Sequence, residues 1–255
     1  MSAVLIYGDL WTDCCAMEAI VRRYTLEQVR QYDSVSALLK GLQRSSGAGL
    51  ILCLRPHEHV YLFYRLRRWL NGRRVLVVTD RMYYSDRSVM QYFGLREWLE
   101  RDELLPFIFP ERFSQPPPEA WLRFRRPRPK GGVTSDADRA ENDAGMMPGS
   151  LLARLNLYVR WSLPAGVTEP KYALLLLLSS GCPAVLLARQ VSMHPKTVSI
   201  YRRETLARLN MRPSPLSLYR GLRVLRQLQR TPLVHEEGNL SEMAGVLLTA
   251  GERNY

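Results

Sequence analysis

The sequence predicts two unlike parts: an α/β half built on a doubly wound parallel sheet, then a small all-α domain of four helices containing a helix-turn-helix. Three observations carry this. Short, continuously apolar runs alternate with amphipathic stretches over residues 3–110. A proline- and arginine-rich stretch poor in apolar residues follows. Then comes a leucine-rich segment with two proline-marked helix starts and a concentration of positive charge.

In chain order, Ala3–Tyr7 (AVLIY), Gly49–Leu54 (GLILCL) and Val75–Thr79 (VLVVT) read as buried parallel strands, because both faces of such strands are covered. Residues 27–32 read as a weaker strand and Leu105–Phe109 as the fifth. Helices are expected over Cys14–Arg23, Ser34–Gln43, His57–Asn71 and Asp86–Phe93, giving right-handed crossovers between parallel strands. Within His57–Trp69 (HEHVYLFYRLRRW), the aromatic and arginine residues suit either packing on the sheet or an interaction surface. His57 and His59 lie two apart, which on a helix separates them and disfavours a metal site.

The composition changes over residues 114–150. Pro116-Pro117-Pro118, RRPRPKGG at Arg125–Gly132 and a polar stretch at Thr134–Gly145 predict an extended linker. It would let the two halves move independently. Leu151–Ser162 regains helical period and is expected to pack on the C-terminal domain. The expected organisation is therefore residues 1–112, a linker at 113–150, an all-α domain at 151–230 and a tail at 231–255. The tail segment LSEMAGVLLTAG could form a docking helix.

In the all-α domain, Thr168-Glu169-Pro170 starts a helix through Ala173–Leu178, with Gly181 as its stop. Val185–Val191 is a second short helix and Ser192-Met193-His194 a tight turn. Pro195 opens a basic helix with His194 as an unusual N-cap. Ser214-Pro215 starts a fourth helix, LSLYRGLRVLRQL. Winding the third helix at 100° per residue puts Lys196, Ser199, Ile200, Arg203 and Ala207 on one polar, small-residue face. Val198, Tyr201, Thr205 and Leu209 fall on the opposite, core-like face. A basic rod on a helix-turn-helix is the shape that enters a DNA major groove.

Charge agrees with that reading. The chain has 36 Lys+Arg against 24 Asp+Glu, a formal net charge of +12. Between Gly166 and Arg230 there are 11 basic and 2 acidic residues, which points to a polyanion partner. No run is long and apolar enough for a spanning helix, and MSAVLIYGD has no basic leader, so a cytoplasmic, nucleoid-associated protein is expected. The 4 cysteines, Cys14, Cys15, Cys53 and Cys182, lack metal-like spacing and are expected as reduced thiols. No nucleophile–base pair, phosphate loop or metal cluster can be assembled, so no enzyme, cofactor or metal is expected.

Residues 167–226 resemble the LuxR-type (NarL/FixJ) DNA-binding domain of bacterial transcription factors. The resemblance rests on Thr168, Glu169, the leucine-rich first helix, Gly181, Ala188, Met193, Lys196-Thr197-Val198, Leu206, Arg208-Leu209-Asn210 and Met211. It implies groove contacts by Ser199, Ile200 and Arg203 and phosphate contacts by Lys196 and Arg202. With Thr197 and Ala207, these form the candidate DNA-binding set. It also implies a dimer, or pairing with another LuxR-type regulator, through the fourth helix, with RNA polymerase as a further partner. The chain departs from the family at His194, Leu186 and Tyr201, where Ser, Glu and His are usual.

The N-terminal half then resembles a response-regulator receiver, through its element order and VLVVT. A receiver's chemistry needs an acidic pair after the first strand, an Asp after the third and a Lys after the fifth. Here the first strand ends in Gly8-Asp9-Leu10, and Cys53-Leu54-Arg55-Pro56 follows the third. The resemblance therefore implies a pseudo-receiver that works without phosphorylation. The alternative is an interaction module that modulates a partner regulator while barely touching DNA itself.

Overall fold

The computed structural model describes residues 3–111, 116–126 and 148–231. The apolar runs form the strands of one sheet: β1 (Ala3–Gly8), β2 (Gln28–Tyr32), β3 (Gly49–Cys53), β4 (Val75–Thr79) and β5 (Trp98–Glu100). All neighbours are parallel in the order β2-β1-β3-β4-β5. β3 and β4 are buried along their whole length, as continuous Val/Leu/Ile runs require. β2, at an edge, alternates polar and apolar and is only half covered.

Helices α2 (Val35–Arg44), α3 (Val60–Leu70) and α4 (Tyr84–Tyr92) cover one face through Leu38, Leu42, Leu62, Phe63 and Val89. The opposite face is covered by α1 (Trp11–Tyr24), α5 (Leu105–Ile108) and α6 (Glu119–Arg125) through Met17, Val21, Phe107, Trp121 and Phe124. The sheet is doubly wound, and its strand order reverses direction between β1 and β3.

Four expectations are corrected. The fifth strand is not Leu105–Phe109 but Trp98–Glu100, only 3 residues long. Apolar runs of that length do not distinguish strand from helix, and Pro106 in the first turn favours helix. The stretch expected as extended linker contains α6, because Trp121 and Phe124 find a place against the sheet. Helix α3 starts at Val60 and not at His57, because Pro56–Glu58 form a 3-10 turn, and Tyr61, Phe63 and Leu66 take the sheet-packing alternative. The fourth helix of the all-α domain stops at Gly221.

The all-α part begins with α7 (Pro148–Trp161), followed by α8 (Glu169–Ser179), α9 (Ala184–Gln190), α10 (Pro195–Arg208) and α11 (Pro215–Gly221). Gly181, with φ +89°, ends α8 as expected. Beyond α11, backbone groups that a longer helix would use are taken by side chains. The Tyr172 hydroxyl donates to Leu222 O, and the Asn156 carboxamide pairs with both Val224 N (2.9 Å) and Val224 O (3.0 Å). Competition of this kind ends a helix. The tail beyond Thr231, with its expected docking helix, lies outside the described residues.

The two halves are docked, contrary to the independent movement that a long linker suggested. Helix α7, expected on the C-terminal domain, bridges both. Leu151, Leu152 and Leu155 join the sheet-domain core, while Val159 joins Tyr172, Leu175, Leu206 and Leu218. Tyr84 of α4 enters this second core and donates its hydroxyl to Val159 O (2.8 Å). Asn156→Ala is expected to cost roughly 1–3 kcal/mol, because the buried N–H and C=O of Val224 are left unpaired. Urea unfolding checks this; a change within error would show that the pairing is dispensable.

Candidate nucleic-acid interface and the strand-end pocket

Helix α10 starts as its sequence requires. His194 is the N-cap and its Nδ1 accepts from Lys196 N–H (3.2 Å), while Pro195 occupies the first position. The turn before it is closed by Met193 N–H donating to Ala188 O (2.8 Å), with Ser192 left-handed at φ 51°. Leu187 and Ala188 of α9 pack with Leu174 and Val198, fixing the angle between the two helices.

One side of α10 is core: Val198, Thr205 and Leu206 are buried, with Leu209 and Met211 just beyond. The opposite side exposes Lys196, Ser199, Arg203 and Ala207, with the half-buried Ile200 among them. Thr197 and Arg202 are also half-buried, but Arg202 lies one turn from both Val198 and Leu206 and so belongs to the core side of the helix. Ser199 donates its hydroxyl to Pro195 O (3.1 Å). Among the described residues, Lys196, Arg202 and Arg203 have no acidic partner within 4.0 Å. Tyr201 is half-buried under the Lys171 ammonium, 5.1 Å from its ring centre. The strip is open even though the two halves are docked.

A pocket of about 220 Å³ lies at the C-terminal ends of β1, β3 and β4, where open α/β sheets place ligands. It holds the carboxylates of Asp9, Asp13, Glu58 and Asp80, each matched by arginine. Arg55 clasps Asp80 with two guanidinium nitrogens and reaches Glu58 (3.4 Å). Arg101 binds Asp13 (2.7 Å). From the C-terminal half, Arg220 reaches Glu58 (3.3 Å), and Arg230 binds both Glu58 (2.8 Å) and Asp9 (3.2 Å). Asp9 also meets His59 (2.8 Å), whose other ring nitrogen contacts the Thr231 hydroxyl (3.0 Å).

At the end of β3, Cys53 is buried against Cys14. The hydrogen bond with Cys14, reinforced by burial, pushes the Cys53 thiol well above its ordinary pKa. Behind the pocket, the buried Asp86 carboxylate accepts from His57 N–H (2.9 Å) and Tyr83 N–H (2.9 Å) and contacts His57 Nδ1 (2.7 Å). Among the described residues no three His, Cys, Asp or Glu side chains converge as a metal would need.

The sequence reading located Asp9 and Cys53 in this pocket but missed Asp13, Arg101, Arg220 and Arg230. Asp13 lies one helical turn into α1, and Arg101 follows a strand too short to recognise. The two C-terminal arginines come from residues remote in sequence and carry no local signal.

No protein-family model matches the chain, and no curated protein matches it by sequence. Solved structures do. The chain is similar to the two-component response regulator RcsB in a complex with DNA, with a TM-score of 0.51 and 14% identity over 86% of this chain and 96% of that one. RcsB from Salmonella enterica serovar Typhimurium, bound to promoter rprA in the presence of BeF3-, gives 0.49 and 13% identity over 87% and 98%. The chain shares the two-domain fold of the first of these structures. Both predicted parts, the receiver-like sheet and the helical domain with its helix-turn-helix, are present in the expected order. Among the described residues no helix is long and apolar enough to cross a membrane.

The pocket's charge pairing has a pH signature. Burial alone would raise the pKa of Asp80, but the hydrogen bond and charge of Arg55 outweigh it and hold the carboxyl below its ordinary value. A depressed carboxylate contributes stability above its unfolded pKa, about 4, and loses it as pH falls through the folded value. The stability gap between the native protein and Arg55→Gln should be full at neutral pH and shrink below about pH 4. A gap independent of pH in urea unfolding contradicts the pairing.

Proposed function

We propose that the chain is a transcriptional regulator of bacterial type that binds double-stranded DNA through α10 and is not switched by phosphorylation. The observation that carries this is the strip of Lys196, Ser199, Arg203 and Ala207, exposed with the half-buried Ile200 on a helix whose other side is core. Arg203 reads a base edge, Ser199 and Ile200 contact the groove, and Lys196 and Arg202 meet phosphates. The similar RcsB structure is a complex with DNA, which supports DNA as the partner.

One recognition helix reads few base pairs, so pairing with a second copy or another regulator of this type supplies specificity. Leu216 and Tyr219 of α11, exposed while Leu218 is spent on the core, provide an apolar surface for that contact. RNA polymerase is a further partner, and the working location is the cytoplasm at the nucleoid. The domain divisions we propose remain 1–112, 113–150, 151–230 and 231–255, with α6 folded back inside the second of them. Independence from phosphorylation rests on Cys53 in place of an acceptor carboxylate and on the arginines that already neutralise Asp9, Asp13 and Asp80.

A second reading, an interaction module with little DNA binding, draws on Val185 and Leu186. Both are half-exposed on α9, where a polar residue would suit a DNA-facing motif.

Arg203→Ala should cost about 1–3 kcal/mol on a specific site and relax sequence preference, whereas Lys196→Ala should weaken all sequences alike. Equal losses for Arg203→Ala on specific and random duplexes would remove its base-reading role. Acetyl phosphate with Mg²⁺ should leave the intact mass unchanged; a phosphoryl adduct within residues 1–112 contradicts the phosphorylation-independent reading.

A further inference from the structure

A second, larger cavity of about 310 Å³ lies on the other side of α4, between that helix, the turn into β5 and α7. Its apolar lining is Met90, Leu95, the half-buried Tyr158 and the Trp98 indole, which is 37% exposed. Gly94, left-handed at φ 70°, ends α4 and opens the mouth. Arg87, Arg96 and the exposed Gln91 complete the lining.

Neither arginine has a counter-anion among the described residues. Arg87 donates only to carbonyl oxygens, those of Met82 (3.2 Å) and Leu209. The adjacent Asp86 is committed to His57 and Tyr83, and Glu97, adjacent to Arg96, is committed to Arg123 (2.7 Å). Burial pushes the Arg87 guanidinium below its ordinary pKa; the charges of Asp86 and Glu100 oppose this from a distance, and neither forms an ion pair with it. Two unpaired cations facing one apolar hollow are stabilised by an anion that also fills the hollow.

We propose that this cavity is a binding site for a small aromatic carboxylate. The carboxylate lies between the Arg87 and Arg96 guanidinium groups, whose planar forks match its two oxygens. The ring lies against Trp98, Tyr158 and the Met90 thioether, contacts that favour a flat apolar body. The volume is at the lower end of ligand pockets, about 300–1,000 Å³, which suits a single-ring or two-ring acid rather than a peptide.

Arg87 also connects the cavity to the DNA-facing helix. Its guanidinium holds Leu209 O, the C-terminal cap of α10. A carboxylate drawing that guanidinium toward itself competes with the cap, so occupancy reaches α10 through one side chain. Binding itself does not depend on whether α10 enters DNA, so the two readings fail separately.

The test titrates the full-length protein with benzoate and indole-3-acetate, with benzamide, indole-3-acetamide and acetate as controls, by calorimetry and tryptophan fluorescence. The two aromatic acids should bind saturably, about tenfold or more tighter than either amide or acetate. Arg96→Gln and Gln91→Trp, at exposed positions that permit folding, should each weaken the acids about tenfold or more. The first removes a charge and the second narrows the mouth; circular dichroism verifies that both variants fold. No saturation at millimolar acid, equal binding of acids and amides, or acids unaffected by Arg96→Gln would each overturn the site.

Discussion

Glu58 carries a buried negative charge at the junction of the two halves, and much of the architecture follows from neutralising it. Removing a carboxylate from water costs several kcal/mol unless cations and donors replace the lost hydration. From the sheet domain Arg55 reaches it (3.4 Å), with the His57 ring beside it (3.6 Å). Arg220 and Arg230 arrive from the far end of the chain, and Arg230 N–H also donates to Glu58 O (2.8 Å). Gln229 adds a bridge, donating to His57 O (2.7 Å) and accepting from Val60 N–H (3.1 Å). The 3-10 turn that presents Glu58 is thus stable in its buried position because the C-terminal half is docked on it. Docking in turn places α11 and the end of α10 beside α4.

The same requirement accounts for the strand-end pocket. Asp9, Asp13, Glu58 and Asp80 would repel one another there, and arginines from both halves offset them. Because Arg220 and Arg230 come from the C-terminal half, the pocket is a joint between the domains. The joint leaves the strip on α10 exposed, although Arg87 of α4 touches the end of that helix at Leu209 O.

Much of the fold was legible because its physical signals are local. Continuous Val/Leu/Ile runs declared β1, β3 and β4, and Pro195 and Pro215 marked helix starts with an N-cap just before them. His194 performed as an N-cap although it is an uncommon one, since its ring nitrogen could still accept from Lys196 N–H. The face of α10 followed from helical period alone. Illegible parts depended on distant partners. Three residues of β5 carry no periodicity, and α6 is a helix because Trp121 meets the sheet. The early end of α11 needs Asn156 and Tyr172, more than forty residues upstream. The pocket's charge balance, drawn from both ends of the chain, could not be assembled without the fold.

Helices α6 and α7 have a mechanical consequence for the segment between them. α6 is anchored on one sheet face by Trp121, and α7 on the other side by Leu151 and Leu155. Both ends of that segment are therefore fixed to one core, one on each face of the sheet, so pulling Phe124 and Leu151 apart has to unpack two opposite faces at once.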